Sequence, residues 1–119
     1  MKVAITAKGN ALDSDVDPRF GRASYIILVD TDTMESEALD NSANLNALKG
    51  AGIQAATMIA DQGAQVVCTG YCGPKAFQTL QAAGIKVVSD VTGTVRQAVE
   101  MMQTGNVQYT DAANADAHW

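Results

Sequence analysis

Apolar and polar positions alternate with two different periods along this chain, and the period changes near its middle. In the first half, Lys2 to Ala7 alternates with period two, placing Val3, Ile5 and Ala7 on one face of a strand. Ser24 to Asp30 is almost continuously apolar, as expected of a central strand. Glu35 to Leu39 is shorter and more polar and reads as an edge strand, reached through a turn at Asp30–Thr33. These three segments predict an antiparallel meander.

In the second half the period lengthens to that of helices. A helix is predicted from Ala51 or Ile53 to Gln62, with Ile53, Ala56, Ile59 and Ala60 as its buried stripe and Gly63 as its stop. Strand Ala64–Thr69 follows. A helix then runs over Lys75–Ala83, with Pro74 at its first position and Gly84 beyond its end. Strand Ile85–Ser89 leads to a last helix over Thr94–Gln103, which buries Val95, Ala98, Val99 and Met102 and is closed by Gly105. Strands alternating with helices imply parallel pairing. The expected fold is therefore α/β: a mixed five-stranded sheet, antiparallel meander plus parallel βαβ half, with about three helices. Residues 1–105 form the domain. Residues 106–119 lose periodicity and are expected to be a flexible C-terminal tail.

Composition narrows the function. With 8 Lys plus Arg against 13 Asp plus Glu, the net charge is −5, which argues against a nucleic-acid footprint. Only 5% of residues are aromatic, so the core must be aliphatic. The 2 cysteines are too few for a disulfide framework and read as free thiols in a reducing compartment. No leader or membrane-spanning run is visible, and a cytoplasmic monomer is expected.

Three loops should gather at one end of the sheet, because strands one and four are expected to run parallel and end together. The first carries Lys8, then Arg19, Phe20, Gly21 and Arg22. The second runs from Asn44 to Gly50-Ala51-Gly52, with Lys49 inside it. The third is Gly70-Tyr71-Cys72-Gly73, followed by Pro74 and Lys75. Two of them feed helix N-termini, where glycine lets backbone N–H groups approach an anion. Arg19, Arg22 and Lys8 could add charge, Phe20 and Tyr71 could wall the site, and Cys72 is the one side chain to test as a metal ligand. Each feature also has a plain structural reading. Phe20 can be a core residue beside a turn, Cys72 an incidental turn residue, and Gly50-Ala51-Gly52 a simple junction. Cys68 reads as a small buried hydrophobe, and Met101-Met102 as helix packing rather than a soft-metal site. Asp116-Ala117-His118 has the residue types of a metal chelate but lacks the free amine such a chelate needs. A single histidine in the tail leaves no Ser-His-Asp or Cys-His set, and no phosphate loop, Gly-x-Gly-x-x-Gly or Cys-x-x-Cys motif is present.

The segments Val16-Asp17-Pro18-Arg19-Phe20-Gly21-Arg22-Ala23, Asn44, Gly50-Ala51-Gly52-Ile53-Gln54-Ala55-Ala56 and Gly70 through Pro74, in that order, resemble the dinitrogenase iron–molybdenum cofactor-binding family of NifX and the C-terminal part of NifB. The likeness spans about residues 1 to 105. It implies a ribonuclease H-like sheet and a role in binding or carrying a metal–sulfur cluster. Within the family it points to small members holding a molybdenum–copper sulfide cluster, and it suggests MinD/Mrp-like ATPases as partners. The chain lacks a core histidine, which puts histidine ligation of such a cofactor in doubt. An anionic cluster that brings its own sulfur ligands needs few protein bonds. The expected function is thus non-enzymatic, mostly non-covalent cluster binding by Lys8, Arg19, Phe20, Gly21, Arg22, Asn44, Gly50, Ala51, Gly52, Gly70, Tyr71, Cys72 and Gly73. The alternatives are an interaction module docking such an ATPase, with metal incidental, and a metal-dependent nuclease. The nuclease would need carboxylates converging on the sheet, and strand Lys2–Ala7 carries none.

Overall fold

The computed structural model describes residues 1–45, 50–111 and 113. Five strands form one mixed sheet: β1 (Lys2–Ala7), β2 (Tyr25–Asp30), β3 (Ser36–Asp40), β4 (Val66–Cys68) and β5 (Lys86–Val88), in the spatial order β3-β2-β1-β4-β5. β1 pairs antiparallel with β2 and parallel with β4, with Ile5 opposite both Ile27 and Cys68. β2 pairs antiparallel with β3, and β4 parallel with β5. The expected meander joined to a parallel half is therefore present. It places the carboxyl ends of β1, β4 and β5 along one edge.

The helices are α1 (Ser42–Leu45), α2 (Ala51–Asp61), α3 (Pro74–Ala82) and α4 (Val95–Thr104). The short α1 was not signalled by the sequence pattern, since four residues carry no readable period. Side-chain alternation divides the core between the two faces of the sheet. Ala4, Ile26, Leu28, Val67 and Val87 meet Ala55, Ala56 and Ile59 of α2 and Phe77 and Leu80 of α3. Val3, Ile5, Ala7, Ile27, Val29 and Cys68 meet Val95, Ala98, Val99 and Met102 of α4. The predicted stripe of α4 is buried in full.

The stripe predicted for α2 needs correction. Ile53 is exposed, and Ala51, Ala55, Ala56 and Ile59 are the buried positions. The buried face of α2 is built largely of alanines, with Ile59, where it packs against the sheet and α3.

Beyond Gly105, where the sequence pattern is silent, the structure adds detail. Thr110 bridges to Val87, its N–H donating to the Val87 carbonyl at 2.7 Å, and Lys86 Nζ lies 4.8 Å over the Tyr109 ring. Ala112 and residues 114–119, including the Asp116-Ala117-His118 triplet, lie outside the described residues. Among the described residues no helix is long and apolar enough to cross a membrane.

Candidate functional site

The long connection between β1 and β2 divides into two arms. The first turns to the α4 face: Lys8 N–H donates to Asp15 O at 2.9 Å, and Val95 and Arg96 donate to Ser14 O and Leu12 O at 2.9 and 2.8 Å. The second crosses to the β4–α3 turn. Arg19 and Tyr71 form a parallel bridge in which Tyr71 N–H donates to Pro18 O (2.6 Å) and Phe20 N–H to Tyr71 O (3.0 Å). Gly70 allows this, because a Cβ there would lie 2.7 Å from Pro18 Cα. Gly21 then meets the start of α2. It has φ +88°, and a Cβ on it would fall 2.7 Å from Gly52 Cα and 3.1 Å from the Ala51 carbonyl carbon. Three segments distant in sequence thus converge through backbone contact.

A buried polar layer supports the junction. The Thr6 hydroxyl lies 2.7 Å from Asp17 O and 2.8 Å from Thr69 Oγ1. A carbonyl can only accept, so Thr6 gives its one proton to Asp17 O and receives that of Thr69. The Asp17 carboxylate is buried and accepts from Arg19 N–H at 3.0 Å, with Arg19 Nε at 3.4 Å. Pairing is what makes a buried carboxylate tolerable. Asn41, also buried, donates through Nδ2 to Ala23 O (2.8 Å), and its Oδ1 accepts from Asn44 Nδ2 (2.7 Å). It fastens α1 to the first loop.

Helices α2 and α3 both begin at this junction, behind glycines. Gly50 (φ 73°) and Gly73 precede their first residues, and neither helix has a side-chain cap. A Cβ on Gly52 would stand 3.0 Å from Ala76 Cβ, so the two first turns touch. Two uncapped helix starts side by side present several backbone donors and the positive ends of two dipoles to one place.

Of the predicted residues, Arg19, Gly21, Gly52, Gly70 and Tyr71 are brought together by these contacts, with Ala51 and Gly50 at the start of α2 and Gly73 at the start of α3. Arg19 is half-exposed and Tyr71 exposed, so both face outward. Arg22 N–H donates to Arg19 O at 3.3 Å, which keeps the two arginines on one turn. Asn44 stands beside Gly21 through Asn41. Phe20 is 2% exposed and belongs to the core under α2 and α3, the plainer of its two readings. Lys8 is exposed on the arm that leads to α4. Lys75 is exposed on the first turn of α3, and Lys49 lies outside the described residues.

Both cysteines are buried thiols outside any disulfide. Burial pushes each thiol up to about 12, so both are protonated at neutral pH. Cys68 is the buried small hydrophobe expected of it. Cys72 packs in the α2–α3 core, its Sγ 3.8 Å from Gly73 O. Sequence reasoning passed over Thr6, Asp17, Thr69 and Asn41 as site residues. The one available signal was a set of polar residues abutting apolar strands.

Among the described residues no group of three or more His, Cys, Asp or Glu side chains could hold a metal ion. The donors that are present, backbone N–H groups and arginine, suit an anion that carries its own ligands. Fold and site together define a small α/β protein in which three loop segments meet by backbone contact at the carboxyl edge of the sheet. The chain belongs to the dinitrogenase iron–molybdenum cofactor family, which it matches over residues 1–105. It is 51% identical to the orange protein of Desulfovibrio gigas, solved in its apo form, with 96% of each chain covered and a TM-score of 0.93. It is 31% identical to a NifB-type protein from Thermotoga, with 96% of this chain and 98% of that one covered and a TM-score of 0.80. An uncharacterized protein of Methanocaldococcus jannaschii is 27% identical over 111 residues, covering 91% of this chain and 90% of its own.

Proposed function

We propose that this chain binds and carries an anionic metal–sulfide cluster as cargo, a molybdenum–copper sulfide, and holds it mostly by non-covalent contacts. The observation that carries the reading is the pair of adjacent, uncapped helix starts closed over by Pro18–Gly21. Backbone N–H groups of α2 and α3 donate to the outer sulfides. Arg19 and Arg22 add charge from the rim, and Tyr71 shields the cargo from water. The protein carries the cluster and does not transform it. The resemblance set out from the sequence supplies the metals, and the 51% identity to the orange protein supports the family's role here. Cys72 stays the one side chain to test as a direct ligand. Ligation there would require deprotonating a thiol whose pKa burial has pushed up to about 12.

Addition of tetrathiomolybdate and copper to the metal-free protein is expected to give a coloured equimolar complex. Amide shifts should cluster at Arg19–Arg22, Gly50–Gly52 and Gly70–Gly73. No complex, or shifts confined to residues beyond Gly105, would refute the reading. A Cys72→Ser protein that forms the same complex assigns the cysteine to packing.

A partner fits beside the cargo. The exposed Ile53 shares a groove with Thr57 and Met58 on α2, next to Asn44. A MinD/Mrp-like ATPase docking there would bring a transfer partner to the junction, in a cytoplasmic, monomeric carrier. A pull-down in which Ile53→Ser loses the ATPase but keeps the cluster tests this. Retention by the variant would remove the groove from consideration.

A further inference from the structure

Four of the 5 methionines stand at the end of the molecule opposite the loop junction. Met1 precedes β1, Met34 lies between β2 and β3, and Met101 and Met102 are in the last turns of α4. Lys2 pairs with Asp30, so the start of β1 and the end of β2 share one edge. Gln103 ties α4 to that edge: its Nε2 donates to Thr31 O at 3.0 Å and lies 3.1 Å from Met34 Sδ. Met1, Thr31, Asp32, Met102 and Gln103 line an open cavity of about 570 Å³.

Packing accounts for Met102, which is 6% exposed in the α4 core and reaches the cavity at its edge, but only in part for its neighbours. Met1 is 39% exposed, and Met34 and Met101 are only partly covered where they lean on the core. A thioether left in water contributes little burial. Met34 is also held at φ 63°, a left-handed conformation costly for a residue with a side chain.

The chemistry of the cavity favours a soft cation. Thioethers are neutral, polarisable donors that select soft monovalent metals over Mg²⁺ or Ca²⁺. The carboxylates of Asp30 and Asp32 lie at the same edge, partly offset by the Met1 amino group at 3.8 and 3.1 Å. The last carbonyls of α4 add the negative end of its dipole.

We propose that Met1, Met34 and Met102 form a thioether site for a soft monovalent metal ion of the Cu(I) class. The site is independent of the cargo junction, from which the length of β1 separates it by roughly 17 Å. Binding would draw Met34 Sδ away from Gln103 and leave the metal's oxidation state unchanged.

Silver(I), a redox-inert soft monovalent ion, would be titrated anaerobically into the full chain carrying 13C-methyl-labelled methionine. The Met1, Met34 and Met102 methyl signals should shift together and saturate together while Met58 stays fixed. Met34→Leu and Met102→Leu should each weaken silver binding at least tenfold against a competing chelator, with unchanged circular dichroism. If a leucine variant fails to fold, the methyl shifts of the native chain decide alone. Silver that first perturbs Met58 or the amides around Cys72, or that binds a folded Met34→Leu protein with native affinity, would overturn the proposal. No step uses the molybdenum cargo, so this site and the junction stand or fall separately.

Discussion

Helix α4 starts differently from α2 and α3, and the contrast separates structure from function. Thr94 closes α4 with a capping box: its hydroxyl accepts from Gln97 N–H at 3.2 Å, and Gln97 Oε1 accepts from Thr94 N–H at 2.9 Å. Both helices on the opposite face begin behind a bare glycine, with no side chain spent on their first turns. A cap is worth about 1 kcal/mol, and the chain uses it where nothing else is asked of the helix start. Leaving two neighbouring starts without a side-chain cap forgoes that stability. The same division separates the arms of the first loop, one fastened to α4 and the other to the junction.

Changes that break this contrast should differ in size and kind. The largest effect is expected from Gly21→Ala. Its φ of +88° and the Gly52 backbone at 2.7 Å leave no room for a methyl. Urea unfolding should show a loss of about 2–4 kcal/mol, and cluster binding should be lost with it. Gly73→Asp should split the two properties. The extended backbone there suits a capping residue, so thermal melting should hold or rise slightly, while the added carboxylate weakens cluster binding at least tenfold by titration. Gly73→Asn, uncharged, should weaken it less. Native cluster affinity in the Gly73→Asp protein would end the anion reading of α3.

Thr94→Ala should do the reverse: it should cost about 1 kcal/mol in denaturation and leave cluster affinity unchanged. Arg19→Gln should reduce affinity about threefold at low salt and less at high salt, because the guanidinium is half-exposed and screened. The thiols act on the pH dependence of stability. Their folded pKa values are raised to about 12, so the native state holds its protons more tightly than the unfolded chain. Their contribution is complete below the unfolded thiol pKa, near 8.5, and is lost as pH rises towards 12. Alkaline unfolding of Cys68→Ala and Cys72→Ala proteins should start from lower stability but fall less steeply between those limits.

Residues whose partners lie nearby in sequence were legible, and those with distant partners were not. The α4 stripe of Val95, Ala98, Val99 and Met102 stands out because its apolar residues contrast sharply with the polar ones between them. In α2 that contrast is weak: Ala56 and Ile59 are legible, but Ala51 and Ala55 look neutral, while the apolar Ile53 draws attention to the wrong face. The three loops could be read from their glycines, and strand polarity said that they would meet. The fastenings could not be read. Thr6 and Thr69 are 63 positions apart, and nothing local marks them as partners. Asn41 looks like any polar residue at a strand end until Ala23 and Asn44 are folded against it. Phe20 satisfied both a wall and a core reading, and only burial separates them.

The main-chain seam between Gly21 and Gly52 limits how such a carrier could be retuned. No side chain stands in the joint, so preference for one guest over another cannot be adjusted by resizing residues there. Any redesign of selectivity must work from the outer ring of Arg19, Arg22 and Tyr71, where substitutions alter charge and shape, at Arg19 with the loss of its contact to the buried Asp17.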